Sequence, residues 1–246
     1  MEDDATLVTE AVGGNLEAFT AICSRYEVQV HNLALAILRD RKAAWEVVND
    51  TFAEASERLE RLQEPYRLVV WLLAIARFRA SLVAGPTAGP DRHPVLPEAD
   101  FERAHLISLV WEATADLPLR ERALIELTLR HGLEGANLAD ALGVSPAEAA
   151  ELQARMADLE TGLAGYLIMR KEQRRCGDLP LVLRGWDGRF TPLVADGIAA
   201  HVSACRVCQE DRQALPSPFS LYASALPTPL PGDGAFERRE VDQATS

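Results

Sequence analysis

A chain of 246 residues with 37 acidic against 25 basic side chains, and a net charge of −12, lacks the cationic excess with which a protein grips DNA phosphates unaided. Hydrophobic residues make up 48% but aromatics only 6%, a mix led by alanine and leucine that favours packed helices over sheets and predicts an all-α fold. No apolar run approaches the roughly 18 residues that span a bilayer, and Met1 to Glu10 is acidic rather than a basic start before an apolar stretch, so no membrane contact and a cytoplasmic location are expected.

From Asp4 to Val83 apolar residues recur at intervals of three and four: Phe19, Cys23 and Tyr26, then Val30, Leu33 and Ile37, then Val48, Phe52 and Leu59. This spacing predicts three or four amphipathic helices in a first domain, residues 1–83. Gly85-Pro86, Gly89-Pro90, Pro94 and Pro97 interrupt any helix and predict a flexible linker over residues 84–100. A second helical block follows at 101–172. Within it Leu142-Gly143-Val144-Ser145-Pro146-Ala147-Glu148 supplies a left-handed helix stop at Gly143, an N-cap at Ser145, proline at the first helical position, and a capping box closed by Glu148.

That string predicts a helix-turn-helix. Its first helix turns Leu138, Ala139 and Leu142 inward, and its second, from Pro146 to Glu160, turns Ala149, Leu152, Met156 and Leu159 inward. Spacing alone leaves two readings open, a DNA-reading element and an ordinary corner of a helical bundle.

A short third block spans residues 173–214. The chain then enters residues 215–246, where Pro216, Pro218, Pro227, Pro229 and Pro231 predict a disordered tail.

The third block holds three of the four cysteines. Cys176 precedes His201-Val202-Ser203-Ala204-Cys205-Arg206-Val207-Cys208, a distant thiol followed by His-x3-Cys-x2-Cys. The i to i+4 spacing puts His201 and Cys205 on one helix face, and two residues between Cys205 and Cys208 let both sulfurs reach a single tetrahedral ion. Such a set closes the coordination sphere, so a bound Zn2+ would be structural, stapling a small fold together. The alternative is three unpaired thiols beside a surface histidine. Cys23, on the apolar stripe of its helix, reads as core.

Several strings in order resemble the extracytoplasmic-function (group 4) sigma factors of bacterial RNA polymerase. Asn15-Leu16-Glu17-Ala18-Phe19 with Arg25-Tyr26 is similar to the family's opening helix, and Ala44-Trp45-Glu46-Val47-Val48-Asn49-Asp50-Thr51-Phe52 to its polymerase-binding helix. Trp71-Leu72-Leu73-Ala74-Ile75-Ala76-Arg77 resembles the helix that opens and reads the promoter nearer the start site. Leu117-Pro118-Leu119-Arg120-Glu121-Arg122 and the helix-turn-helix resemble the domain that reads the element farther upstream.

The resemblance implies core RNA polymerase and promoter DNA as partners, with Glu46, Asn49 and Asp50 facing polymerase and Arg77 and Arg79 facing DNA. The acidic positions of the polymerase helix also fit a plain solvated face. The sequence departs from the family in the second helix of the helix-turn-helix, where Glu148, Glu151, Asp158 and Glu160 accompany one cation. Arg155 and Gln153 are left as its candidate DNA contacts. The cysteine cluster resembles the zinc-binding anti-sigma domain, which implies a regulatory module that packs on its own chain or on another sigma or anti-sigma factor.

Two functions are therefore expected from the sequence. One is a sigma factor directing promoter-specific initiation, regulated by its zinc module. The other is a sigma-like accessory or inhibitory protein that binds polymerase or another sigma factor without reading promoters. An enzyme is not expected: there is no glycine-rich phosphate loop and no nucleophile motif, and His31, His93, His105 and His131 are scattered.

Overall fold

The computed structural model describes residues 3–85, 101–170 and 175–225. Among them every regular element is a helix and none is a strand, so the fold is all-α. No described helix is long and apolar enough to cross a membrane.

The first block contains α1 (Asp4–Val12), α2 (Leu16–Leu38), α3 (Arg41–Arg58) and α4 (Leu68–Val83). Each of the first three starts at a side-chain cap: Asp3 accepts from the Thr6 amide, Asn15 from the Glu17 and Ala18 amides, and Asp40 from the Ala43 amide. The apolar stripe read from the sequence is buried at Cys23, Tyr26, Val30, Leu33, Ile37, Val48, Phe52 and Leu59, with Phe19 half-buried. Asp4 ties α1 to α2 by accepting from Arg25 Nη1 at 2.6 Å and from the Tyr26 hydroxyl at 2.5 Å.

Only Arg39 and Asp40 separate α2 from α3. The chain reverses there because Arg39 adopts φ 55°, ψ 33° as the C-cap of α2, a left-handed conformation that costs a non-glycine residue about 1–3 kcal/mol.

The second block contains α5 (Phe101–Ala115), α6 (Leu119–Leu129), α7 (Gly135–Leu142), α8 (Pro146–Ala154) and α9 (Met156–Arg170). Gly143, at φ 64°, closes α7, and the Ser145 hydroxyl accepts from the Glu148 amide at 3.2 Å to open α8. The Glu148 carboxylate does not complete the box on Ser145; it accepts instead from Arg120 Nη1 at 2.5 Å.

The second helix expected from Pro146 to Glu160 is divided. It stops at Ala154, Arg155 forms the break, and α9 runs on from Met156. The reason is packing: α8 needs to bury only Ala149 and Leu152, whereas α9 buries a continuous run from Thr161 to Met169 against helices that follow it in the chain.

Those helices are α10 (Leu179–Val182), α11 (Pro192–Ala204), α12 (Arg206–Gln213) and α13 (Pro218–Ser224). The disordered tail expected from residue 215 is corrected at its beginning. Ser217 accepts from the Ser220 amide, Pro218 occupies the first turn, and the resulting short helix buries Leu221 and Tyr222. Prolines at helix starts look like breakers in sequence yet suit N-terminal positions. Residues 226–246, and residues 86–100 of the expected linker, lie outside the described residues.

The blocks are not held apart. One apolar cluster runs from Leu7 in α1 to Ala225 after α13, α2 packs on α6, α4 packs on α7, and α11 packs on α9. The α9–α11 approach is close because α9 presents Gly162 and Gly165. A Cβ at Gly162 would lie 2.7 Å from the Ala195 carbonyl oxygen, and one at Gly165 would lie 2.2 Å from Ile198 Cγ2.

Candidate metal centre and nucleic-acid and polymerase faces

The fold gathers the four sequence-predicted ligands. Thr191 caps α11 by accepting from the Val194 amide, and Pro192 starts the helix, whose last turn carries His201. Cys205 is at once the C-cap of α11 and the N-cap of α12, with extended backbone at φ −99°, ψ 115°. The chain turns through that single residue, and Cys208 follows in α12 with its side chain buried. Cys176 arrives from the segment before α10. Arg175 beside it donates to Asp211 and Glu210 at 2.9 Å each, which ties the start of the module to α12.

The ligand atoms of Cys176, His201, Cys205 and Cys208 all lie within 4.8 Å of one another. Cys176 Sγ is 3.4 Å from His201 Nε2 and 3.9 Å from Cys205 Sγ. A tetrahedral zinc ion with Zn–S of about 2.3 Å and Zn–N of about 2.0 Å requires S···N and S···S edges of about 3.5 and 3.8 Å. The donor set and spacing therefore fit a metal ion such as zinc. Among bare thiols the backbone amide of Cys208 favours the Cys205 thiolate and lowers its pKa, whereas burial pushes Cys208 up to about 12. A bound dication reverses that penalty, because it stabilises coordinating thiolates outright.

Glu46, Asn49 and Asp50 are exposed together on the outer face of α3, and Glu57 and Glu60 extend the acidic surface toward its C-terminal end. The opposite face buries Val47, Val48, Thr51 and Phe52. The helix thus presents carboxylates and an amide at i, i+3 and i+4 without spending them on intramolecular packing.

The residues expected to face DNA are differently placed. Arg77, half-buried on α4, donates from Nε to the Ala141 carbonyl of α7 at 3.0 Å. Arg79 donates to Glu54 of α3 at 2.7 Å. Arg155 is exposed, with Nη2 3.9 Å from Asp196 of α11, and Gln153 is half-buried on α8. Arg67 adds a link, donating to Asn137 at 3.1 Å and pairing with Asp140, both on α7.

Sequence reasoning missed a buried polar cluster between the blocks. Arg39 is fully buried, donates from Nη2 to the Thr114 hydroxyl at 2.9 Å, and holds its guanidinium carbon 3.5 Å from the Trp111 ring centroid. Glu126, also fully buried, accepts from Arg130 Nε at 3.0 Å and the Tyr222 hydroxyl at 2.9 Å. Burial lowers the Arg39 pKa to about 10 and raises that of Glu126. No motif signals this cluster; an arginine just before an aspartate N-cap reads as a surface residue.

The helix order, the compact Cys/His centre and the acidic α3 face are compatible with the sigma-factor resemblance of the sequence. Comparison with known proteins agrees: over 158 residues the chain is 27% identical to a protein of Xanthomonas campestris pv. campestris named "Probable RNA polymerase sigma factor RfaY", the match covering 56% of this chain. It covers 38% of that relative's length. No protein-family model and no solved structure matches.

Proposed function

We propose that this chain is a cytoplasmic, non-catalytic RNA polymerase sigma factor that directs promoter-specific initiation and is regulated by its C-terminal metal module. The observation that carries the reading is the α3 face: Glu46, Asn49 and Asp50 stand free on the helix that resembles the family's polymerase-binding helix, in a chain similar to a sigma factor. Carboxylates on a rigid, well-packed helix suit a basic partner surface, because they need no rearrangement to bind.

In this reading α4 approaches the promoter element nearer the start site and the α7–α8 corner the one farther upstream. Zinc held by Cys176, His201, Cys205 and Cys208 supplies a structural cross-link. It keeps α11 and α12 at the angle at which α11 lies on α9, and so fixes the module to the upstream-reading block.

A second reading is favoured by the acidic α8 and by the internal use of Arg77 and Arg79. In it the protein binds polymerase, or another sigma or anti-sigma factor, without reading promoters. The two separate in one experiment: purified core RNA polymerase is captured with the protein, and the complex is given fragmented genomic DNA for run-off transcription. Capture with discrete transcripts supports the sigma factor, with losses on Glu46→Lys and Asp50→Lys. Capture without transcripts supports the accessory protein, and no capture by wild type overturns both polymerase readings.

A further inference from the structure

We infer that α13, Pro218–Ser224, is an intramolecular latch that holds the α1–α4 block closed against the α5–α9 block, with Arg77 of α4 held in the joint. The consequence for transcription rests on the sigma-factor reading, but the latch itself does not.

The joint has two ends that differ in exposure to solvent. At one, α4 meets α7 through Arg67 on Asn137 and Asp140 and through Arg77 on the Ala141 carbonyl. The Arg67–Asp140 pair is solvent-accessible, so water and salt screen it. A groove of about 470 Å³ also opens beside this contact, between Arg61, Trp71 and Val144.

At the other end the packing is dry. Arg39, the left-handed residue between α2 and α3, enters the second block and lies on Trp111 of α5. A cation on an aromatic face is held more strongly while water is excluded, although among the described residues Arg39 Nε and Nη1 have no acceptor in this enclosure. The group that completes this enclosure is Tyr222 of α13. Its ring lies 5.5 Å from that of Trp111, inclined by 27°, and its hydroxyl donates to the fully buried Glu126.

The latch is secured at both ends. Arg130 Nη2 donates to the Tyr222 carbonyl at 2.9 Å and also to that of Ala225, Arg103 donates to the Ser224 hydroxyl at 3.1 Å, and the Ser217 hydroxyl donates to Glu160 of α9. A seven-residue helix has little stability of its own, so its docking is set by these contacts. Undocking admits water to Arg39 and Trp111, loosens this end of the joint, and leaves the α2–α6 packing and the α4–α7 contact to hold the blocks.

The test is hydrogen exchange by mass spectrometry on the full-length protein, comparing wild type with Tyr222→Ala. The expected result is at least about tenfold faster exchange in α4 and α7, remote from the substitution, with helix content by circular dichroism unchanged. Faster exchange confined to α13 and α5, with α4 and α7 unchanged, overturns the latch. Should Tyr222→Ala lose helix content, Tyr222→Phe, which removes only the hydroxyl that Glu126 accepts, is read in the same way. An increase of about threefold in α4 and α7 then supports the proposal, and none overturns it. Because polymerase takes no part, failure here is distinct from failure to capture polymerase.

Discussion

Arg77 of α4 hydrogen-bonds the Ala141 carbonyl of α7 at 3.0 Å, so a residue expected to face promoter DNA joins the two helical blocks. Its guanidinium also lies against the turn after α7, where a Cβ at Gly143 would come within 2.6 Å of Nη2. The bond is partly buried and joins a cation to a carbonyl, an arrangement worth about 1–2 kcal/mol. Arg77→Ala is expected to lower the free energy of unfolding by about that amount in urea titrations. If the same arginine meets DNA in the open protein, promoter-dependent transcription falls by more than the stability loss explains.

The Cys/His centre predicts a metal-dependent melting point. Protein purified without chelator is expected to carry about one zinc ion per chain, measured by inductively coupled plasma mass spectrometry. Cys205→Ser should lose it and melt at lower temperature, because a site that exists only in the folded state contributes its binding energy to folding. Unchanged metal content in the variant would remove Cys205 from the ligand set.

The α9–α11 contact predicts that Gly165→Ala destabilises. Alanine improves helix propensity by about 1 kcal/mol, but its Cβ would stand 2.2 Å from Ile198 Cγ2 and 2.8 Å from Val202 Cγ2. Overpacking of this kind costs about 1–3 kcal/mol. The net expectation is a loss of up to about 2 kcal/mol in chemical denaturation, since the clash outweighs the propensity gain.

His131 predicts an acid sensitivity with a definite sign. Burial, aided by Arg130, lowers its pKa to about 4, so it remains neutral in the fold while an unfolded chain takes up the proton near pH 6.5. Between those values the unfolded state binds more protons, and stability falls as pH falls from about 6.5 toward 4. Glu126, raised by burial, works in the opposite direction, and its Oε1 lies 4.0 Å from His131 Nε2, so the difference between wild type and variant reads the pair together. From pH 7 to pH 5, wild type is expected to lose about 2 kcal/mol more than His131→Asn, compared by urea unfolding.

Cys23 predicts selective thiol chemistry. Burial raises its pKa to about 12, so it should resist alkylation by iodoacetamide at pH 8 in the folded protein and react after denaturation. Peptide mapping by mass spectrometry reads this directly, and labelling of native Cys23 would contradict its place in the α2 core.

The helical class, the apolar stripe of α2 and α3, the Gly143 stop, the Ser145 cap and the grouping of Cys176 with His201, Cys205 and Cys208 were all legible in the sequence. Each depends on residues close in the chain or on a ligand spacing that local geometry constrains: 3.6-residue periodicity, a left-handed glycine, a hydroxyl three residues before an amide. The acidic outer face of α3 was legible for the same reason, since its apolar face decided which side had to be wet.

What neighbours decided was not legible. Whether the helix after Ser145 continued past Ala154 depended on what lay against α9, and α11 comes more than thirty residues later. The helical start of the expected tail depended on a place for Tyr222 beside Trp111 and Glu126. Arg39 became a core residue, and Arg77 a link between blocks, only because distant helices removed water from them. An arginine's charge is written in the sequence, but its solvation is set by tertiary packing, and that packing decides whether the charge faces a partner or joins the protein to itself.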